Sequence, residues 1–95
     1  MAIVVLTPAA QKEFDVLPKA VRARIEAVLR RLERWPDASG AKPLSGDLAG
    51  RWRVRTGDYR VQFSVEPGKS LQEGEPAAPG KVKVEKVGHR DGFYD

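Results

Sequence analysis

The stretch RWRVRTGDYRV, residues 51–61, decides how the rest of the chain is read. Gly57-Asp58 between two alternating segments is a two-residue hairpin signal. A turn there sets Thr56 against Tyr59, then Arg55 with Arg60, Val54 with Val61, Arg53 with Gln62, and Trp52 with Phe63. Side chains alternate across a strand, so Trp52, Val54, Val61 and Phe63 share one face while Arg51, Arg53, Arg55, Arg60 and Gln62 share the other. The second face places arginine opposite arginine, a repulsion that weakens the hairpin. An anion between the two would turn that repulsion into a binding site, because the planar guanidinium fork suits phosphate oxygens.

The segments on either side supply a cover for the apolar face. Residues 2–6, AIVVL, are a short β-branched run and predict a strand. Thr7-Pro8 is a helix start, a hydroxyl cap followed by proline at the first helical position. Ala10, Phe14 and Leu17 then recur at helical spacing. A second helix is predicted from about Pro18 to Trp35, with Val21, Ile25, Val28, Leu29 and Leu32 in one stripe and Pro36 as its stop. Two amphipathic helices so closely joined form an αα-hairpin whose apolar faces need a sheet.

Residues 36–50, with three glycines and two prolines, read as loop. After the hairpin, a last strand is predicted over 81–88, with Val82 and Val84 alternating. Val87 lies an odd number of residues from Val84, so a β-bulge is expected there, re-aiming the residues beyond it. Lys81, Lys83 and Glu85 join the arginine face if the strand keeps its phase. Residues 66–80, EPGKSLQEGEPAAPG, have no periodicity and read as a mobile loop. The expected architecture is α+β, β-αα-βββ: a helical hairpin packed on one face of a small, mostly antiparallel sheet, in a single domain over 1–95.

Bulk properties narrow the function classes. A chain of 95 residues is one domain with a small core. Its formal charge of +4 favours a polyanionic partner, either nucleic acid or an acidic protein. The absence of cysteine rules out disulfides and thiolate metal sites and fits a reducing cytosol. One histidine argues against a zinc site, and no cofactor motif is present. The start MAIVVL is too short for a signal peptide or a membrane span, so a soluble cytoplasmic protein with no membrane association is expected.

The ending VGHRDGFYD, residues 87–95, adds chemistry to the basic face. Gly88 at a strand end permits a turn presenting His89 and Arg90 at the sheet's edge. Histidine can move a proton near neutral pH, arginine can hold a phosphate, and Tyr94 can stack on a base. Phe93 and Tyr94 read equally well as an apolar patch closing the edge of the core.

Taken together, the first strand, the helical hairpin, the block KPLSGDLAGRWRVRTGDYRVQFSV and the ending VGHRDGFYD resemble the RelE/ParE superfamily of toxins from type II toxin–antitoxin modules. The resemblance spans nearly the whole chain. It is stronger to the RelE branch, ribosome-dependent mRNA endonucleases in which the ribose 2′-hydroxyl attacks the adjacent phosphate. The resemblance implies that Arg60 and Arg90 stabilise the phosphate and that Tyr94 stacks on or orients a base. Arg51 and Arg53 stand where that branch has basic residues, often lysine. Arginine is a poor general base, so His89 becomes the candidate acid or base. Arg51, Arg53, Arg55, Lys81 and Lys83 are the expected RNA-binding set, and neither a metal nor another cofactor is implied. The implied partners are the ribosome with its mRNA and a cognate antitoxin, in a complex that can be hetero-oligomeric. Two other readings share the fold: a ParE-like, non-enzymatic inhibitor of DNA gyrase, and an inactive module that binds antitoxin or nucleic acid through its basic face.

Overall fold

A computed structural model describes residues 2–66, 68 and 80–93. Most of the 66–80 connection and Tyr94 lie outside the described residues. The chain runs β1 (Ile3–Leu6), α1 (Pro8–Asp15), α2 (Lys19–Leu32), β2 (Ala41–Pro43), β3 (Arg51–Thr56), β4 (Tyr59–Glu66) and β5 (Lys81–His89). The strands form one sheet in the order β1-β5-β4-β3-β2. β1 runs parallel to β5, and the other pairs are antiparallel.

The hairpin has the register read from its turn, with Thr56 opposite Tyr59 and Arg55 opposite Arg60. Gly57 has φ +61, and no non-glycine residue among those described has positive φ. Of the two favoured two-residue turns, those signs fit type II′, which needs glycine at its first central position.

Both helices cover one face. The Thr7 hydroxyl accepts from the Ala10 N–H at 3.1 Å, capping α1 behind Pro8. Ala10 from α1 and Ile25, Val28 and Leu32 from α2 pack on Val54, Val61, Phe63, Val82, Val84 and Val87. α2 ends at Leu32 rather than at Trp35. The N–H groups of Glu33, Arg34 and Trp35 bond three residues back instead of four, so the final turn tightens into a 3₁₀ form. That turn seats Trp35 edge-on against Trp52 and Phe63, with ring centroids at 4.8 and 5.4 Å.

Two features differ from or extend the sequence reading. The 36–50 segment contains β2, an edge strand pairing Ala41 with Val54, Lys42 with Arg53 and Pro43 with Trp52. Three residues are too few for any alternation to show, and an edge strand tolerates proline. The bulge lies where Gln62 pairs with Lys86 and Phe63 with Val84, leaving Glu85 as the extra residue on β5. It lets Val84 and Val87 both face the helices despite their odd spacing.

β1 accompanies β5 only as far as Val84, and α1 lies alongside the rest. There the Glu13 carboxylate accepts the Val87 N–H at 3.0 Å. Glu13→Ala would strand this half-buried donor just past the bulge. A loss of about 1–3 kcal/mol is expected, the usual cost of an unsatisfied polar group. Urea unfolding checks it, and a change below about 0.5 kcal/mol would mean that water replaces the carboxylate.

Candidate nucleic-acid interface

The face away from the helices is built by β3, β4 and β5. Alternation and register place Arg51, Arg53 and Arg55 beside Arg60, Gln62 and Ser64, with Lys83, Lys86 and Gly88 on the next strand. Arg55 and Arg60 stand directly opposite each other. Neither has an ion-pair partner among the described residues. Among the described residues, nothing compensates their repulsion.

Arg60 lies opposite Gly88 across β4 and β5. A side chain at Gly88 would project onto the same face, where its Cβ would come within 3.5 Å of the Phe93 ring. Phe93 is 2% exposed and packs over the arginine face, not at the edge of the core that lies behind the sheet. The Lys86 ammonium sits 4.7 Å from its ring centroid, a cation–π contact that further fixes the ring. The 3.5 Å approach at Gly88 is ordinary van der Waals contact, so the Phe93 ring packs closely over the backbone there.

The C-terminal turn also places Arg90. The Arg90 N–H donates to the Asp58 carbonyl at 2.7 Å, joining the C-terminal turn to the hairpin turn. Its guanidinium lies 3.9 Å from the Asp58 carboxylate and 3.7 Å from that of Asp91, with the side chain 57% exposed. These are long, wet contacts, of the kind that contribute little and exchange readily for a better anion. The structure therefore brings Arg53, Arg55, Arg60 and Arg90 to the hairpin-turn end of the sheet.

The other expected members fall elsewhere. Arg51 Nε donates to Glu85 at 2.9 Å, a bridge that reaches across β4 and neutralises one arginine. The bulge, signalled in the sequence by the Val84–Val87 spacing, leaves Glu85 there. Lys83 and Lys81 pair with Ser64 and Glu66, roughly 13 and 20 Å along the strand from Arg60.

His89 lies apart from the arginine face. It pairs with Tyr59, and the two rings meet edge to face at 5.2 Å. Tyr59 packs against the core, so His89 lies on the helix side of the sheet, across from Arg60. Its Nδ1 accepts the Asp91 N–H at 3.1 Å, and its side chain is 40% exposed. Only the β4–β5 register reveals this, because the bulge resets which residues share a face. Among the described residues, no three His, Asp or Glu side chains are grouped to hold a metal, and no helix is long and apolar enough to cross a membrane.

No protein-family model matches the chain. A curated relative does: 36% of 66 aligned residues are identical to a protein of Mycobacterium tuberculosis named Toxin RelE, over 68% of this chain and 67% of that one. Among solved structures, the toxin–antitoxin complex RelBE2 from the same organism superposes with a TM-score of 0.69. It has 26% identity and covers 94% of this chain and 98% of the other. The RelB–RelE complex of Methanococcus jannaschii gives 0.65 over 96% and 95% at 18% identity, a likeness of fold alone.

Proposed function

The chain belongs to the RelE-like toxin family, and from that premise we propose that it is a ribosome-dependent mRNA endoribonuclease whose catalytic surface is the arginine face. The observation that carries this reading is the opposed pair Arg55 and Arg60, held without a carboxylate partner among the described residues beside an exposed Arg90. In the reaction, the ribose 2′-oxygen attacks the adjacent phosphorus and the bond to the 5′-oxygen breaks. A 2′,3′-cyclic phosphate and a 5′-hydroxyl remain. Water takes the 2′-hydroxyl proton and returns one to the leaving oxygen. The extra negative charge falls on the non-bridging oxygens, where Arg60 and Arg90 supply preorganised donors. Arg53 and Arg55 hold the neighbouring backbone, while Lys83 and Lys81 extend that track. Tyr94 stacks on or orients a base. His89 is assigned no proton transfer, since it lies on the other side of the sheet; it fixes Asp91 in the turn that carries Arg90.

By the same reading the protein is cytoplasmic, and its partner is a cognate antitoxin with an acidic segment that covers this face and folds as it binds. The two complexes to which the chain is similar each pair such a toxin with its antitoxin.

Mapping mRNA 5′ ends in a purified translation reaction tests the nuclease. Cuts within the codon at the ribosomal A site are expected with wild type. Omitting ribosomes or substituting Arg90→Ala should remove them. Intact mRNA from a protein that still arrests growth would overturn the reading in favour of a non-nuclease target, for which DNA supercoiling by gyrase is the next assay.

A further inference from the structure

Gln62 sits at the centre of the arginine face and is 7% exposed. Arg60 and Ser64 flank it on its own strand, and Arg53 and Lys86 lie across from it. Its amide makes no hydrogen bond among the described residues, and its polar atoms keep some access to solvent. Across from it, Arg53 Nε is buried and has no hydrogen-bond partner among the described residues, which is rare for a buried polar atom. Two adjacent side chains thus hold unspent hydrogen-bonding capacity within the face.

The chemistry of the pair separates two ligands. A phosphate offers only acceptors, and the surrounding guanidinium and ammonium groups already supply donors in excess. An amide adds an acceptor beside a donor. The Glu85 carboxylate on the same face is taken by Arg51. A nucleobase edge is the part of an RNA that presents donors and acceptors side by side, and a splayed base offers that edge to a side chain. Gln62 lies about 7 Å along the strand from Arg60, within the length of one nucleotide from the phosphate that Arg60 is assigned.

We propose that Gln62, with Arg53 beside it, is a specificity-determining pair that reads the hydrogen-bonding edge of a nucleobase next to the scissile phosphate. This rests on the nuclease reading and extends it from phosphate binding to base selection. When the base arrives, Arg53 Nε–H gains the acceptor that it lacks and the Gln62 amide gains both partners. A base with the wrong pattern leaves them unpaired.

The test compares wild type with Gln62→Leu on ribosome-programmed mRNAs that differ at single bases of the A-site codon. For wild type, rates at one position should spread at least about tenfold among the four bases, the scale of one good bidentate contact. Gln62→Leu should shrink that spread to about threefold or less while still cutting. Its thermal midpoint should be close to that of wild type, because an apolar group of similar size replaces an amide that makes no hydrogen bond among the described residues. A merely structural glutamine would instead lower the midpoint and leave the spread alone. Gln62→Glu, which keeps the length and removes the amide donors, should change the preferred base. Cutting with the wild-type spread in Gln62→Leu, or with no spread in wild type, overturns base reading alone. No cutting by wild type overturns the nuclease assignment and base reading with it.

Discussion

Arg60→Ala is expected to slow mRNA cutting by on the order of 10²–10³, the usual cost of removing one preorganised donor from a transition-state charge, while the fold survives. The direction of the stability change makes this a sharp expectation. Arg60 faces Arg55 across the hairpin, so losing either charge relieves a repulsion of some tenths of a kcal/mol. Circular dichroism and urea unfolding should show Arg60→Ala as stable as wild type or slightly more so. Arg55→Ala should gain the same relief with a smaller loss of rate, since Arg55 is assigned the backbone and not the reacting phosphate. If Arg60→Ala were folded and fully active, the face would not be the reaction site. A clear loss of stability in Arg55→Ala would mean that an unseen partner compensates the pair.

The second large effect belongs to the core. Phe63 is fully buried at the middle of β4, flanked by Val54, Val61 and Val84, with Trp35 edge-on at 5.4 Å. Phe63→Ala should cost about 3–5 kcal/mol, the lost transfer energy plus the cavity. A domain of this size is stable by only about 5–15 kcal/mol, so the variant should be partly unfolded or close to it at 37 °C. Tryptophan fluorescence during urea unfolding reads the change directly, because Trp35 and Trp52 share that cluster. A loss under about 1.5 kcal/mol would mean that the aromatic cluster collapses into the space.

The parts legible in the sequence were those fixed by local chemistry. Gly57-Asp58 set the hairpin, and with it the placing of Val54, Val61 and Phe63 behind the sheet and of the arginines in front. Thr7-Pro8 set the start of α1, and the valine spacing announced the bulge. What stayed hidden depends on strands that are distant in sequence. β2 needs only backbone partners on β3. The side on which His89 falls depends on how β5 registers against β4 after Glu85 is inserted. Phe93, readable as a core-edge residue, packs on the opposite face beside Gly88. The neutralisation of Arg51 by Glu85 likewise joins residues 34 apart.

RNA phosphate is expected to bind among the opposed arginines. The most direct measurement is an NMR titration of arginine Nε–H signals with a short RNA made uncleavable by a 2′-deoxy residue. A second basic surface on the protein serves as an internal control: Arg30, Arg31 and Arg34 line a shallow groove on the outer side of α2. Signals of Arg53, Arg60 and Arg90 should shift together along one binding curve, with the α2 arginines nearly still. Shifts confined to the α2 arginines, with Arg60 unmoved at saturation, would contradict it.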